Sequence, residues 1–493
     1  MHKLYDISFS SEVIREKLYC KSRKFSINNS GQVFLPQGEE LDCLTYFNSF
    51  SLCKWKKYTT LQNISIHLRI KGKAKVSVVG LTTNGKKSLK ASLVEGYYEE
   101  SFDVKSLDVE IIGLEFVGLT DCLIIDATYY GSFAKWQDRN IGIVICTYKR
   151  EKYIKNTMEL LRNFIRNNKW LDVLIVDNGS TLKEENEENI RVTHNPNYGG
   201  SGGFTRGLLE NSKRNKHDYI LFMDDDVELE LSTIYRTHSL LCGIKKEYKD
   251  SFVAGSMLSL ENPYIQYEKV GRRDFLRGIS YGRDYDLSKV EYLFLNEQEH
   301  NQENQFAAWW YCCMPVDRIN NLGLPLPLFI KGDDIEYSIR NNRPIISMNG
   351  IGVWHEDFKR KSNALTCYFS ARNMLIVNMY MKKTSRFKFC ISLIARICRC
   401  VLLFKASDIF AVYEAVKDFS GGLVHITKEK PQMKIEALGK RQCGKNIILT
   451  FLLLLKVSII SVARYDQLHS DYENFRNEKL QDDKFWRNYM NIL

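Results

Sequence analysis

From Leu61 onward the chain alternates apolar and polar positions, with Leu61, Ile64, Ile66, Leu68 and Ile70 tracing a period of two. Lys73-Ala-Lys-Val-Ser-Val78 resumes the alternation after a Lys71-Gly72 turn. Such a period marks half-buried strands. Leu107 to Leu123 adds short apolar runs broken by Gly113, Gly118 and Asp121. Short strands at this spacing predict a β-sandwich or jelly roll over residues 1–137.

At Asn140 the pattern changes. Ile141 to Cys146, Leu171 to Val176 and Asp218 to Met223 are continuous apolar runs, and helical patterns lie between them. Buried strands alternating with helices describe βαβ units and a parallel sheet. Ligands in such sheets sit beyond the carboxyl ends of the strands. Here those ends carry Thr147 to Arg150, Asp177 to Ser180 and Asp224 to Asp226. Three polar tips at one sheet edge are laid out as an active site, within a domain spanning 138–381.

Residues 382–493 read as a helical region. Phe387, Cys390, Ile391, Ile394, Ile397, Val401 and Phe404 recur at helical spacing, among Lys382, Lys383, Arg386, Arg396, Arg399 and Lys405. An apolar stripe with cations describes a helix lying on a membrane surface. Ile447 to Ala463 is a second apolar segment, interrupted by Lys456 and short of the ~20 residues that span a bilayer. It reads first as a buried helix, then as an interfacial one, and last as a span.

The length of 493 residues implies two to four domains, and a charged fraction of 26% rules out general disorder. Net charge of +11 favours an anionic ligand or surface. No RNP, zinc-finger or helix-turn-helix pattern accompanies it, so no nucleic-acid partner is expected. The 13 cysteines form no CxxC pair, which removes zinc ribbons and thioredoxin-like chemistry. Residues 1–19 contain no apolar core of a signal peptide, and with reduced thiols this predicts a cytoplasmic location.

Asp224-Asp225-Asp226 is the sharpest chemical signal. Alternate side chains at an extended strand end point the same way, so Asp224 and Asp226 face one cation while Asp225 faces elsewhere. Mg²⁺ and Mn²⁺ are held by such carboxylates together with phosphate oxygens. The alternative is an acidic helix start. Asn197 to Phe204 places small residues before a helix, where backbone N–H groups meet a phosphate or sugar. The run does not fit GxGxxG or the P-loop, which argues against a dinucleotide oxidoreductase, and its bland reading is a flexible turn. Lys331-Gly-Asp333-Asp334 supplies a carboxylate for general base work, with helix capping as the bland reading. Trp309 and Trp310 are adjacent indoles, which seldom both turn inward and commonly stack on sugars. His355 ends another apolar run; a lone histidine is more often structural than a ligand, and its functional reading rests on its place at a predicted strand end where Asp224 and Asp226 can also converge.

These strings resemble the family-two glycosyltransferases of the GT-A fold, and more closely the polymerising galactofuranosyltransferases of cell-wall galactan synthesis. The resemblance rests on Ile145-Cys-Thr-Tyr-Lys-Arg150, Val176-Asp-Asn-Gly-Ser180, Asn197-Tyr-Gly-Gly-Ser-Gly-Gly-Phe204 and Met223-Asp-Asp-Asp226. It continues in Trp309-Trp310 with Met314-Pro315, Pro327-Leu-Phe-Ile-Lys-Gly-Asp-Asp334 and Val353-Trp-His-Glu356. It is strong over 140–375 and weaker on either side. One departure is Gly332, where the family often has tryptophan.

The resemblance implies an N-terminal β-sandwich, a central α/β GT-A (Rossmann-like) domain and a helical C-terminal region. It implies that Asp224, Asp226 and His355 bind Mn²⁺ or Mg²⁺ and that Asp334 is the catalytic base. Arg150, Asp177 and Asn178 would lie around the uridine nucleotide, with Asn197, Gly202, Gly203 and Asp225 also on the donor side. Trp309, Trp310, Lys331, Asp333 and Glu268 would lie on the sugar and acceptor side. The implied reaction is inverting transfer of galactofuranose from UDP-galactofuranose to a glycan hydroxyl, on a lipid-linked acceptor at the inner face of the membrane. A homo-oligomer is in keeping with it. The competing readings are a GT-A transferase with a pyranose donor (UDP-glucose, UDP-galactose or dTDP-rhamnose) and a non-catalytic glycan-binding protein.

Overall fold

The structure, a computed structural model, describes every residue except 11, 187–188, 358–363, 403–405, 429, 441–446 and 493. Phe404 and Lys405 of the basic apolar stripe therefore lie outside the described residues.

The N-terminal region is one nine-stranded sheet organised by a bent strand. Strand β1 (Leu61–Thr82) pairs along one edge with β2 (Gly85–Asp103). Its other edge pairs first with β4 (Cys122–Phe133) and then with β3 (Ile111–Gly118). Lys71-Gly72 is thus not a turn between two strands, as the alternation suggested, but a bend inside one strand of 22 residues. Gly72 takes φ +91° there, and a side chain at that point would overlap the carbonyl of Asp121. Both halves of β1 share a single core, in which Ile64, Ile66 and Leu68 join Val76 and Val78. The alternation is real; the bend carries it from one half of the sheet to the other.

The central region holds the eight-stranded sheet. Its strands in chain order are β5 (Ile141–Thr147), β6 (Leu171–Asp177), β7 (Ile190–His194) and β8 (Tyr219–Asp224). Three more strands close it: β10 (Phe252–Ala254), β13 (Tyr311–Pro315) and β14 (Ile345–Ile346). The order is β7-β6-β5-β8-β13-β10-β14, with the short strand Glu185–Asn186 outside β7. β5, β6, β7 and β8 are mutually parallel, whereas β13 runs antiparallel to β8 and β10. Both faces are covered. Ile143, Ile145, Leu221 and Met223 pack into the core shared with helix α1 (Glu151–Asn167). Val144, Ile220 and Phe222 pack against helix α2 (Gly199–Arg214). Two covered faces explain why these strands read as unbroken apolar runs.

A second sheet brings a distant segment to the tip of β8. β9 (Val227–Leu229) follows directly and pairs antiparallel with β15 (Gly352–His355), so that His355 stands opposite Val227. β15 continues through β11 (Ser256–Ser259) to β12 (Ile265–Glu268).

After α3 (Leu231–Cys242) comes α4 (Asp333–Asn341), and beyond the sheets lie helices α5 (Ala364–Tyr380), α6 (Arg386–Leu402), α7 (Ala406–Ser420), α8 (Ile447–Ala463) and α9 (Lys484–Met490). Their core also takes in Tyr198, Leu326, Leu328 and Phe329 from the central region. Helix α8 corrects the expectation of a buried helix. Only Leu454, Ser458 and Ser461 turn inward, while Ile448 and Ile459 are 70% and 69% exposed. A helix apolar on every side buries only the side that has a neighbour, and here that neighbour is α7. On α6 the inward residues are Phe389 and Leu393, whereas the stripe residues Phe387, Ile391 and Ile394 face outward. Among the described residues no single helix is long and apolar enough to cross a membrane. The bent pair Ile447–Ala463 and Tyr465–Lys479, meeting at 74°, passes that test only when joined.

Candidate active site

The parallel register sets the tips of β5, β6 and β8 side by side, with Thr147 opposite Asp177 and Cys146 opposite Asp224. At the end of β8 the chain turns through Asp225 and Asp226 into β9, which is held against β15. Asp224, Asp226 and His355 consequently meet, with candidate ligand atoms all within 4.8 Å of one another. His355 Nε2 lies 3.0 Å from Asp226 Oδ1 and 3.9 Å from Asp224 Oδ2. Its Nδ1 is 2.6 Å from the carbonyl of Glu356, which orients the ring so that Nε2 faces the carboxylates. Two carboxylates and an imidazole at these separations fit a small divalent cation.

Burial works against a charged His355 ring, but the hydrogen bond to Asp226 and the fields of Asp226 and Asp224 outweigh it and raise the imidazole to about 9. Asp226 is likewise opposed by burial, yet His355 and Arg150 hold it down at about 2. Asp225 points the other way. It accepts from the Thr147 hydroxyl at 2.6 Å and from the Arg150 guanidinium at 3.3 Å, and Arg150 also pairs with Asp226.

The loop before α4 supplies a second acidic pair. Phe329, Lys331 and Gly332 all have positive φ, at +73°, +67° and +87°. Side chains from α5 and α2 hold this turn. Asn373 Nδ2 donates to the carbonyls of Leu328, Ile330 and Lys331, and Arg372 donates to that of Leu328. The Ser201 hydroxyl accepts from the Phe329 N–H at 2.8 Å. A strained turn this firmly braced is the kind that presents functional groups. Gly332 takes φ +87°, which strains any side chain, and a Cβ there would also displace the methyl end of Met374, so a tryptophan at this position would require both to adjust.

Asp333 is buried and Asp334 half-buried, at the start of α4. Burial raises both carboxyls, and the charge of Asp334 raises Asp333 further, while Lys331 eases Asp334 downward. Glu268, at the end of β12, accepts from the Ser280 hydroxyl. Burial and, after it, the field of Asp334 push Glu268 up to about 7. The Asp334 charge also reaches Asp224. The structure therefore gathers Asp224, Asp226, His355, Asp334, Asp333 and Glu268 into one electrostatic neighbourhood.

Other expected residues sit differently. Asp177 is fully buried, and its two oxygens accept from the N–H groups of Gly179, Thr181 and Leu182 at 2.7–2.8 Å. That carboxylate shapes the loop after β6. Asn178 is also buried; it donates to the Gly199 carbonyl and accepts from Asn195, which ties the β6 tip to the glycine loop. Asn197 Oδ1 accepts from the Gly199 N–H at 3.0 Å, so its side chain serves the same loop.

Gly202 and Gly203 are closely packed on the side a Cβ would occupy. A Cβ on Gly202 would overlap Tyr198, and one on Gly203 would overlap Cys146 Sγ and crowd Asn178. Gly203 is small so that α2 can press onto Cys146 of β5, and Gly202 so that Tyr198 can fold back against the start of its own helix. Gly203→Ala is expected to lower stability by ~1–3 kcal/mol, the usual size of overpacking, read as a drop in the urea midpoint. The position that does face the acidic pair is Gly200, where a Cβ would stand 3.5 Å from Asp333 Oδ2. Nothing in the glycine-rich string distinguished it from its neighbours.

The two indoles also depart from expectation, because both turn inward. Trp309 packs edge-on against Phe204, Phe222 and Tyr337. Trp310 enters the opposite core and donates from Nε1 to the Gly255 carbonyl at 2.9 Å. They lead into β13, where consecutive side chains point to opposite faces, and both faces of this sheet are covered.

A parallel sheet whose tips carry an Asp-x-Asp pair, closed by a histidine from a second sheet, is the arrangement of a GT-A glycosyltransferase. Residues 142–249 match the family described as Glycosyl transferase family 2, and residues 13–119 match Galactofuranosyltransferase 2 N-terminal. The chain thus carries a family 2 glycosyltransferase domain and is similar to the galactofuranosyltransferases. It is 26% identical over 372 residues to the galactofuranosyltransferase GlfT2 of Mycolicibacterium smegmatis, covering 69% of this chain and 57% of that protein. The GlfT2 of Mycobacterium tuberculosis is also 26% identical, over 375 residues, with 69% and 58% covered. The chain spans little more than half the length of these curated relatives. The crystal structure of S. aureus TarS 1–349 aligns with 69% of this chain and 92% of its own, at 13% identity and a TM-score of 0.36. That superposition is too loose to build on.

Proposed function

We propose that the protein is an inverting glycosyltransferase that moves galactofuranose from UDP-galactofuranose to a hydroxyl of a growing cell-surface glycan. The observation that carries this reading is the meeting of Asp224, Asp226 and His355 at one strand tip, within the electrostatic reach of Asp334. Similarity to galactofuranosyltransferases supports the choice of donor.

Asp334 takes the proton of the acceptor hydroxyl as that oxygen attacks the anomeric carbon. Attack from the face opposite UDP breaks the bond to the diphosphate and inverts the centre. Burial raises both carboxyls, and the charge of Asp334 raises Asp333 further, so the pair holds a proton more readily than an exposed carboxylate. Asp224, Asp226 and His355 would hold Mn²⁺ or Mg²⁺, which when bound offers positive charge to the departing diphosphate. Arg150, already beside Asp225 and Asp226, lies on the same donor side. Glu268, Lys331 and Asp333 lie on the acceptor side, with Trp309 and Trp310 bracing that wall from within the core.

Because burial holds Asp334 above the ordinary carboxylate value of about 3.9, kcat/KM is expected to fall as pH drops through a limb displaced upward from that value. A rate that stays flat down to about pH 4 contradicts the base assignment. The function itself is tested by presenting purified protein, with Mn²⁺ or Mg²⁺, a panel of nucleotide sugars. Release of UDP from UDP-galactofuranose is expected. Turnover of UDP-glucose, UDP-galactose or dTDP-rhamnose in its place identifies a pyranose transferase.

Attachment to an anionic membrane belongs to the same reading, and a lipid-linked acceptor and a homo-oligomer fit it. Arg386, Lys388, Arg396 and Arg399 on α6 accompany the exposed Phe387 and Ile394, and α8 exposes Ile448 and Ile459 nearby. Apolar side chains set among cations favour anionic lipid. The protein is expected to sediment with phosphatidylglycerol vesicles at low salt; protein left in the supernatant counts against attachment.

A further inference from the structure

Next to the start of the glycine loop, at Tyr198, lies a 600 Å³ cavity lined otherwise by the C-terminal helices and the loops between them. Tyr198, Phe485 and Tyr489 form an aromatic wall, with Tyr198 and Tyr489 edge to face at 4.7 Å and Phe485 stacked on Tyr489 at 5.5 Å. Lys428, Lys430, Lys479 and Lys484 line the same cavity against two carboxylates, Glu478 and Asp482. Among the described residues the nearest of these pairs is Lys484 with Asp482, at 3.9 Å. Lys428 and Tyr489 continue into an adjoining cavity of 220 Å³, where Lys434 is already paired with Asp418 at 2.7 Å and with Glu414 at 2.8 Å, so the cations open to a ligand are those of the larger cavity.

We propose that this cavity is a second saccharide site, which takes a sugar bearing a phosphate or carboxylate. Aromatic walls present flat apolar faces of the kind that sugar rings cover, and ammonium groups bind phosphate and carboxylate as point charges. The volume is that of a small-molecule site and admits a few sugar units. Neither half of the chemistry suffices alone. An apolar ligand would not engage the exposed Lys428, Lys430 and Lys479, and a bare anion would not engage the half-buried Phe485 and Tyr489. The site adjoins the proposed catalytic centre without sharing its residues: Tyr198 lines the cavity, and the next residue, Gly199, begins the loop tied to Asn178.

The test is calorimetric titration of the full chain, with UDP and Mn²⁺ present at saturation so that donor-site binding does not contribute. The probes are maltotriose bearing one phosphate monoester, plain maltotriose and inorganic phosphate. The phosphorylated trisaccharide is expected to bind at least tenfold more tightly than either of the others. The double variant Lys428→Ala/Lys479→Ala, at two exposed positions, is expected to weaken that binding at least tenfold while leaving the melting temperature unchanged. Inorganic phosphate binding as tightly as the phosphorylated sugar reduces the cavity to a general anion patch and overturns the proposal. Equal binding of plain maltotriose, equal affinity in the double variant, or no binding at all overturns it too. Each of these results is independent of whether the chain turns over UDP-galactofuranose.

Discussion

Asp334→Asn is expected to lower turnover by ~10²–10⁴-fold, the usual contribution of a positioned general base, and to leave UDP binding unchanged. The exchange is nearly isosteric, so the turn before α4 should survive it. That turn is fixed by Asn373, Arg372 and Ser201, none of which depends on the Asp334 carboxylate. The Ile335 N–H now bonded to Asp334 Oδ1 at 2.8 Å keeps an oxygen partner in asparagine. What disappears is the capacity to accept a proton, and with it the acidic limb of the pH profile. Measuring kcat and UDP affinity on the same preparation separates the two effects. A variant with near wild-type turnover rules Asp334 out as the base. A variant that loses UDP binding as well points to a structural role.

Asp226→Ala should weaken Mn²⁺ and UDP together. Asp226 is the partner that holds His355 at 3.0 Å, and it also engages Arg150. Its removal takes away one candidate ligand and loosens a second. Loss of a mere outer partner of a metal ligand typically costs ~10–100-fold in affinity, so a direct ligand should cost at least that much. Manganese binding followed by electron paramagnetic resonance reads this without any turnover. Wild-type manganese affinity in the variant would take Asp226 out of the ion site.

The parts of the fold legible in the sequence were those set by local pattern. The runs at 141–146, 171–176 and 218–223 are buried on both sides, and an unbroken apolar run carries that fact openly. The Asp224-Asp225-Asp226 string announced its own alternation, and Asp225 does turn toward Thr147 while its neighbours turn toward His355. His355 was legible only as the end of an apolar run. What brings it to the site is the pairing of β9 with β15, a long-range register that no window of sequence displays.

The misreadings have a common cause. Lys71-Gly72 looks like a turn because glycine permits one, but here it permits a bend. Gly202 and Gly203 stand in a run of small residues that does not show, in the sequence, how closely Tyr198 and Cys146 press on them. Helix α8 looks buried because it is apolar, and whether it is covered depends on how many neighbours it has. The paired indoles look too large for one core, and the sheet supplies two. In each case composition fixed what a residue tolerates, while its partner came from elsewhere in the chain.

The bracing of the loop before α4 bears on the timing of activity during synthesis. The carbonyl of Pro325 is met by Trp486 Nε1 at 2.9 Å, across a separation of 161 residues, and the Leu324 N–H is met by the carbonyl of Leu480. At the ~5–20 residues per second of translation, those later partners follow roughly 8–30 s behind. A ribosome-bound chain can therefore expose all its acidic residues and still lack the support that aims them. Nascent protein should stay silent toward sugar nucleotides until the segment around Trp486 has emerged and docked.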